Sequence, residues 1–93
     1  MSTTLDWLFE SIKDRQANPK PGSYTNRLFE AGLDEIAKKV GEEGVEVVVA
    51  ATRQSRERLI SELADLAYHC LVLMAYANLS PADIADELER RHR

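Results

Sequence analysis

Glu43 and Glu46 stand three residues apart, and so do Glu62 and Asp65. At 3.6 residues per turn each pair shares one face of a helix. Glu42 adjoins the first pair. Glu46 is embedded in Gly-Val-Glu-Val-Val-Val-Ala and Asp65 in Leu-Ala-Asp-Leu-Ala, where apolar residues surround them. A buried carboxylate without a partner costs several kcal/mol, so it must pair, neutralise or bind a cation. Lys39 lies one turn before Glu43, Lys38 four residues before Glu42, and Arg58 four before Glu62; no Lys or Arg is in reach of Glu46 or Asp65 on its own helix. If the two helices pack antiparallel through a short turn at Thr52–Ser55, four carboxylates converge. Charges that close repel unless a hard cation neutralises them. Carboxylate oxygens with open positions suit Mg²⁺ or Mn²⁺, which keep waters and bind phosphates. A di-iron centre would want two Glu-x-x-His pairs, and these acids supply none, with His69 seven residues from Glu62. Spacing alone also admits a coincidence of surface acids, because the chain carries 16 of them.

The other titratable residues read more simply. Asp6, Glu10, Asp14, Glu30, Asp83, Asp86, Glu87 and Glu89 lie beside Lys or Arg on amphipathic stretches and suit a solvated surface. His69 continues the Glu62–Asp65 stripe by four residues, with Tyr68 beside it; taken alone it fits a satisfied core histidine. His92 fits an exposed tail.

The elements that must position these groups are helical. Asn18-Pro19-Lys20-Pro21-Gly22 cannot continue a helix, and Ser80-Pro81 opens one, with Ser as cap and Pro at the first turn. Elsewhere Gly and Pro are scarce and no period-2 alternation runs. The spacing predicts helices over about Thr3–Ala17, Tyr24–Ala31, Asp34–Gln54, Arg56–Ala77 and Pro81–Arg91, with caps at Thr3 or Thr4, Ser23 and Ser55 and a stop at Gly32. The third carries the stripe Ile36, Val40, Gly44, Val47, Ala51. Its Val-rich segment is read as helix rather than strand, because Lys and Glu flank it and the helical phase continues from Ile36; tertiary burial is expected to override the weak helix propensity of Val. The fourth is apolar nearly all round from Leu66 to Ala77, and such a surface must be covered on every side. The expected fold class is all-α: a bundle of about five helices within a single 1–93 domain, completed by dimerisation.

Composition narrows the function classes. With 93 residues the chain suits one small domain, and such a chain has a thin stability margin. Its one cysteine, Cys70, excludes an internal disulfide and fits a small buried hydrophobe in a reducing compartment. Sixteen acids against 12 bases, without a basic block, argue against nucleic acid or an anionic membrane as partner. The acidic start lacks the pattern of a signal peptide, and the apolar run Leu66–Leu79 is shorter than the ~20 residues of a bilayer span. A cytoplasmic location is expected.

Lys38–Ala51 (KKVGEEGVEVVVAA), Ser61–Ala75 (SELADLAYHCLVLMA) and Ser23–Lys39 (SYTNRLFEAGLDEIAKK) together resemble the phosphoribosyl-ATP pyrophosphohydrolase family of histidine biosynthesis. The resemblance runs over roughly Thr3–His92. The paired acids alone are shared with the wider all-α nucleoside-triphosphate pyrophosphatase superfamily, including MazG-type enzymes and dimeric dUTPases. Ser-Tyr-Thr, Lys-Val-Gly-Glu-Glu and Asp-Leu-x-Tyr-His favour the histidine-pathway member. The resemblance implies Glu43, Glu46, Glu62 and Asp65 as magnesium ligands and Glu42 as a further ligand or base, with Glu42 or Glu46 activating water. It implies substrate contacts from Ser23, Tyr24, Thr25, Lys39, Tyr68 and His69, with Arg27 balancing phosphate charge. Gly44 stands where the family is expected to carry Ala. The implied reaction is Mg²⁺-dependent hydrolysis of phosphoribosyl-ATP to phosphoribosyl-AMP and pyrophosphate by a homodimer, in a free-standing form without a fused cyclohydrolase domain. The alternatives are a (d)NTP pyrophosphatase of the same superfamily and a non-enzymatic helical dimerisation module.

Overall fold

A computed structural model describes residues 3–93; Met1 and Ser2, at the head of the expected single domain, lie outside the described residues. Five helices follow one another: α1 (Thr4–Ala17), α2 (Tyr24–Ala31), α3 (Leu33–Arg53), α4 (Arg56–Tyr76) and α5 (Pro81–His92). No strand occurs among the described residues, so the fold is all-α.

Local chemistry sets each boundary. Thr3 caps α1 reciprocally: its hydroxyl accepts from the Asp6 N–H at 3.1 Å, and its own N–H donates to the Asp6 carboxylate at 3.2 Å. Ser23 and Ser55 cap α2 and α4 by accepting from the Asn26 and Arg58 N–H groups, each at 3.2 Å. Gly32 ends α2 and admits α3 directly, at a φ of 94° that strains any residue with a Cβ. At α5, the Ser80 N–H donates to Asp83 at 2.8 Å.

α3 and α4 form the central hairpin and share the most extensive contact in the molecule. The two-residue connection at Gln54–Ser55 makes them antiparallel. α1 and α2 pack across them, and the core gathers Phe9 and Ile12 from α1, Leu28 from α2, Ile36 from α3, and Leu71, Val72 and Ala75 from α4. Asn26 pins the intervening loop. It is buried, accepts from the Lys20 N–H at 2.9 Å and donates to the Arg15 carbonyl at 2.7 Å.

Three expectations about burial need correction within the single chain. The stripe of α3 ends on Ala50, not Ala51, and Val45 and Val48 are 63% and 60% exposed, so burial inside one chain does not explain their helical conformation. The second half of α4 is largely covered by its own chain; of the exposed apolar residues, Ile60 and Leu63 lie in its first half and Tyr76 is its last residue. Cys70 is half-buried, and burial raises its thiol above the ordinary range. As a whole helix of 21 residues, α4 is also long and apolar enough by length and composition to cross a membrane, although the run counted from Leu66 alone is not.

The radius of gyration is 14.3 Å, against about 12 Å for a compact chain of this length. α5 extends from the core without an extensive contact to any other helix. Between it, α4 and the start of α1 runs an apolar groove bordered by Leu5, Met74, Ile84 and Leu88.

Two substitutions test this account by urea denaturation. Asn26→Ala strands a backbone N–H and a carbonyl and should cost ~1–3 kcal/mol. Gly44→Ala adds a Cβ that meets nothing within 4 Å and should stabilise the helix interior by ~0.5–1 kcal/mol.

Candidate active site

The hairpin brings acids from its two helices together. Glu43 of α3 and Glu62 and Asp65 of α4 each offer a carboxylate oxygen, and these oxygens lie within 4.8 Å of one another. Glu62 is 5% exposed, Glu43 is half-buried and Asp65 faces solvent. Each of the first two has a cation one turn away on its own helix. Arg58 donates to Glu62 at 2.5 Å, and the Lys39 ammonium stands 3.8 Å from Glu43 and 3.6 Å from Glu42. Burial pulls the Lys39 pKa down, but Tyr24, Glu42 and Glu43 outweigh it and hold the ammonium above its ordinary range. Asp65 has no ion-pair partner among the described residues. Three hard oxygen donors with an incomplete set of counter-charges have the chemistry of a divalent-cation site.

Glu46 differs from its sequence expectation. It is exposed and outside the three-acid cluster. It lines an open groove with Lys39, Glu42, Glu43 and Val45, one turn along α3 from Glu43. Its apolar sequence neighbours Val45, Val48 and Val49 are themselves exposed, so they do not bury it.

A second constellation ties α2 to α4 beside the acids. His69 is 6% exposed. Its Nδ1 is 2.8 Å from the Asp65 carbonyl oxygen and 4.0 Å from the Glu43 carboxylate, and its Nε2 is 2.9 Å from the Tyr24 hydroxyl. Thr25 and Tyr68 hydrogen-bond through their hydroxyls. The Tyr24 and Tyr68 rings stack at 6.2 Å, and His69 meets both edge-on. Arg27 lays its guanidinium over the Tyr24 ring, 5.5 Å from its centre, and donates to the Gly22 carbonyl at 3.3 Å. Burial pushes the Tyr24 phenol above its usual range, against the pull of Lys39.

The candidate residues from the sequence therefore divide. Glu43, Glu62, Asp65, Lys39, Tyr24, Thr25, Tyr68 and His69 adjoin the hairpin site directly or through one hydrogen bond. Glu42 and Glu46 line the groove, Arg27 covers Tyr24, and the Ser23 hydroxyl is engaged as the cap of α2. Asn26 escaped sequence reasoning. It anchors the loop that delivers Ser23 and Tyr24, and its partners lie up to 11 residues away, beyond any helical spacing rule.

Comparison with known proteins matches the sequence to one family. The family model described as phosphoribosyl-ATP pyrophosphohydrolase matches residues 5–92. The phosphoribosyl-ATP pyrophosphatase of Sulfurisphaera tokodaii is 53% identical over 90 residues, covering 97% of this chain and 96% of its own. That of Listeria welshimeri is 55% identical over 87 residues, covering 94% and 84%. The histidine biosynthesis bifunctional protein HisIE of Caldanaerobacter subterraneus is 51% identical over 89 residues; these cover 96% of this chain but only 43% of that longer protein. Such identity over nearly the whole chain means that the chain belongs to the phosphoribosyl-ATP pyrophosphohydrolase family.

Proposed function

We propose that this chain hydrolyses 1-(5-phosphoribosyl)-ATP to 1-(5-phosphoribosyl)-AMP and pyrophosphate, the second step of histidine biosynthesis. The convergence of Glu43, Glu62 and Asp65 at the hairpin carries the reading, supported by relatives named for that activity. A polyphosphate cannot approach three carboxylates unaided. Glu43, Glu62 and Asp65 would hold Mg²⁺, with Glu46 joining from the groove; Mn²⁺ fits the same oxygen donors. Bound there, the ion neutralises charge and polarises phosphoryl oxygens.

The chain's own groups supply the rest. Glu46 has no ion pair among the described residues, which leaves its lone pairs available to orient water and accept its proton; Glu42, held by Lys39, is the alternative base. The water oxygen bonds to phosphorus, the bridging bond between the α and β phosphates breaks, and pyrophosphate leaves with the bridging electron pair. Lys39 stays protonated beside the groove and offsets phosphate charge, and Arg27, held over the Tyr24 ring, adds a second cation. Ser23 through Thr25, Tyr68 and His69 form the wall for the nucleoside part.

The active form is a homodimer in the cytoplasm. Exposed Val45, Val48, Val49, Ile60 and Leu63 on the hairpin supply apolar surface that a second copy would bury.

Pyrophosphate release from phosphoribosyl-ATP, dUTP and dCTP, with and without Mg²⁺, tests the function. Turnover of the first alone, only with Mg²⁺, is expected. Preference for a dNTP would reassign the chain within its superfamily; no turnover and no response to Mg²⁺ would leave a scaffold. Asp65→Asn should fold normally, lose about a hundredfold or more in rate, and lose the Mg²⁺-dependent rise in melting temperature that a folded-state ligand produces. Val48→Lys should convert a particle of twice the chain mass to the monomer in sedimentation velocity. Persistence of the dimer would move the interface off this face.

A further inference from the structure

The hydrogens around His69 can be assigned from its partners. A backbone carbonyl only accepts, so the contact between Nδ1 and the Asp65 carbonyl at 2.8 Å puts a hydrogen on Nδ1. In the neutral ring Nε2 then carries a lone pair. Tyr24, 2.9 Å away, must donate to it. With that hydrogen engaged, the Tyr24 oxygen has only lone pairs left to offer. Phosphoryl oxygens are acceptors as well, so no hydrogen bond can form between them and Tyr24 in this state. Sugar hydroxyls and base amino groups are donors and can meet it.

We propose that His69 is a positioning residue that takes the Tyr24 hydroxyl hydrogen, so that Tyr24 meets substrate as an acceptor and reads a donor group on its nucleoside part rather than a phosphate. The placement is suitable. One imidazole ring separates the phenol oxygen from the Glu43 carboxylate, and Tyr24 remains 40% exposed while His69 is buried. The ring of Tyr68 stacks on Tyr24, and the Thr25–Tyr68 bond holds that ring in place. A phenol is protonated at neutral pH, and burial moves Tyr24 further in that direction, so it retains the hydrogen it donates. His69 itself has both nitrogens occupied within the protein and acts through Tyr24. This sharpens the substrate-contact role that the family resemblance implies for both residues.

The inference rests on the proposed phosphoribosyl-ATP reading only for the identity of the substrate. Two measurements test it. The chain has two histidines, so long-range ¹H–¹⁵N spectra of the protein resolve the His69 tautomer. The expected spectrum shows hydrogen on Nδ1, with the Nε2 resonance moving in Tyr24→Phe. In steady-state assays Tyr24→Phe should raise KM for phosphoribosyl-ATP about five- to tenfold, the loss of one hydrogen bond, and leave kcat within about threefold. Inhibition by pyrophosphate, which lacks the nucleoside, should be unchanged. His69→Gln, which keeps an acceptor toward Tyr24, should retain a lower KM than His69→Leu. Hydrogen on Nε2, an unchanged KM in Tyr24→Phe, or equal weakening of substrate and pyrophosphate would each overturn the inference. Absence of wild-type turnover would overturn the substrate reading alone, because the tautomer is observed without substrate.

Discussion

The fold is organised around a repulsion. Carboxylate oxygens within 4.8 Å of one another oppose each other by roughly 3 kcal/mol per pair at an effective dielectric of 20, less where Asp65 meets solvent. The hairpin imposes this on α3 and α4, and apolar packing must hold the helices together regardless. Ile36, Leu71 and Val72, drawn from those two helices, are almost wholly buried, and α1 and α2 close over them with Phe9, Ile12 and Leu28. Lys39 and Arg58 reduce the repulsion from within the same helices, through the i, i+4 geometry that places each a turn from its acid. Asp65 lacks such a partner. The remaining charge is what a divalent ion would answer.

Alignment of α2 with the hairpin uses polar contacts. The chain of contacts from Tyr24 through His69 to the Asp65 carbonyl crosses from one helix to the other and ends on the backbone of an acid in the cluster. Asn26 performs the complementary task on the far side of α2, holding the proline loop against the end of α1. Each link gives its buried side chain, His69 or Asn26, hydrogen-bond partners at both polar ends, which favours one arrangement over many, because an unpaired polar group in the interior is costly.

What the sequence revealed follows the range of the forces involved. Helix boundaries came within a residue or two because Thr3, Ser23, Ser55 and the Ser80-Pro81 pair act on backbone groups three residues away or nearer. The acid pairs were visible because i, i+3 spacing guarantees a shared face once the helix exists. Which face is buried depends on tertiary packing. The apolar context of Glu46 suggested burial, yet its valine neighbours face outward, and the α3 stripe ends on Ala50 rather than Ala51. Asn26 left no periodic signal, since its partners belong to a different helix and a loop.

Glu46 shows why the missing information concerns assembly. It lies on a helix whose inner face carries Glu43 and whose outer face carries Val45, Val48 and Val49. A valine row is a poor choice for a helix facing water, both in propensity and in hydration, and it becomes reasonable when another apolar surface covers it. A second copy seated on those valines would adjoin Glu46 and restrict its access to solvent. Glu46 would then have a different environment in a dimer than in the single chain, whereas Glu62, already buried by its own chain, would not. Subunit association would thus act on the groove through Glu46 and leave the three-acid cluster, which the hairpin alone defines, in place.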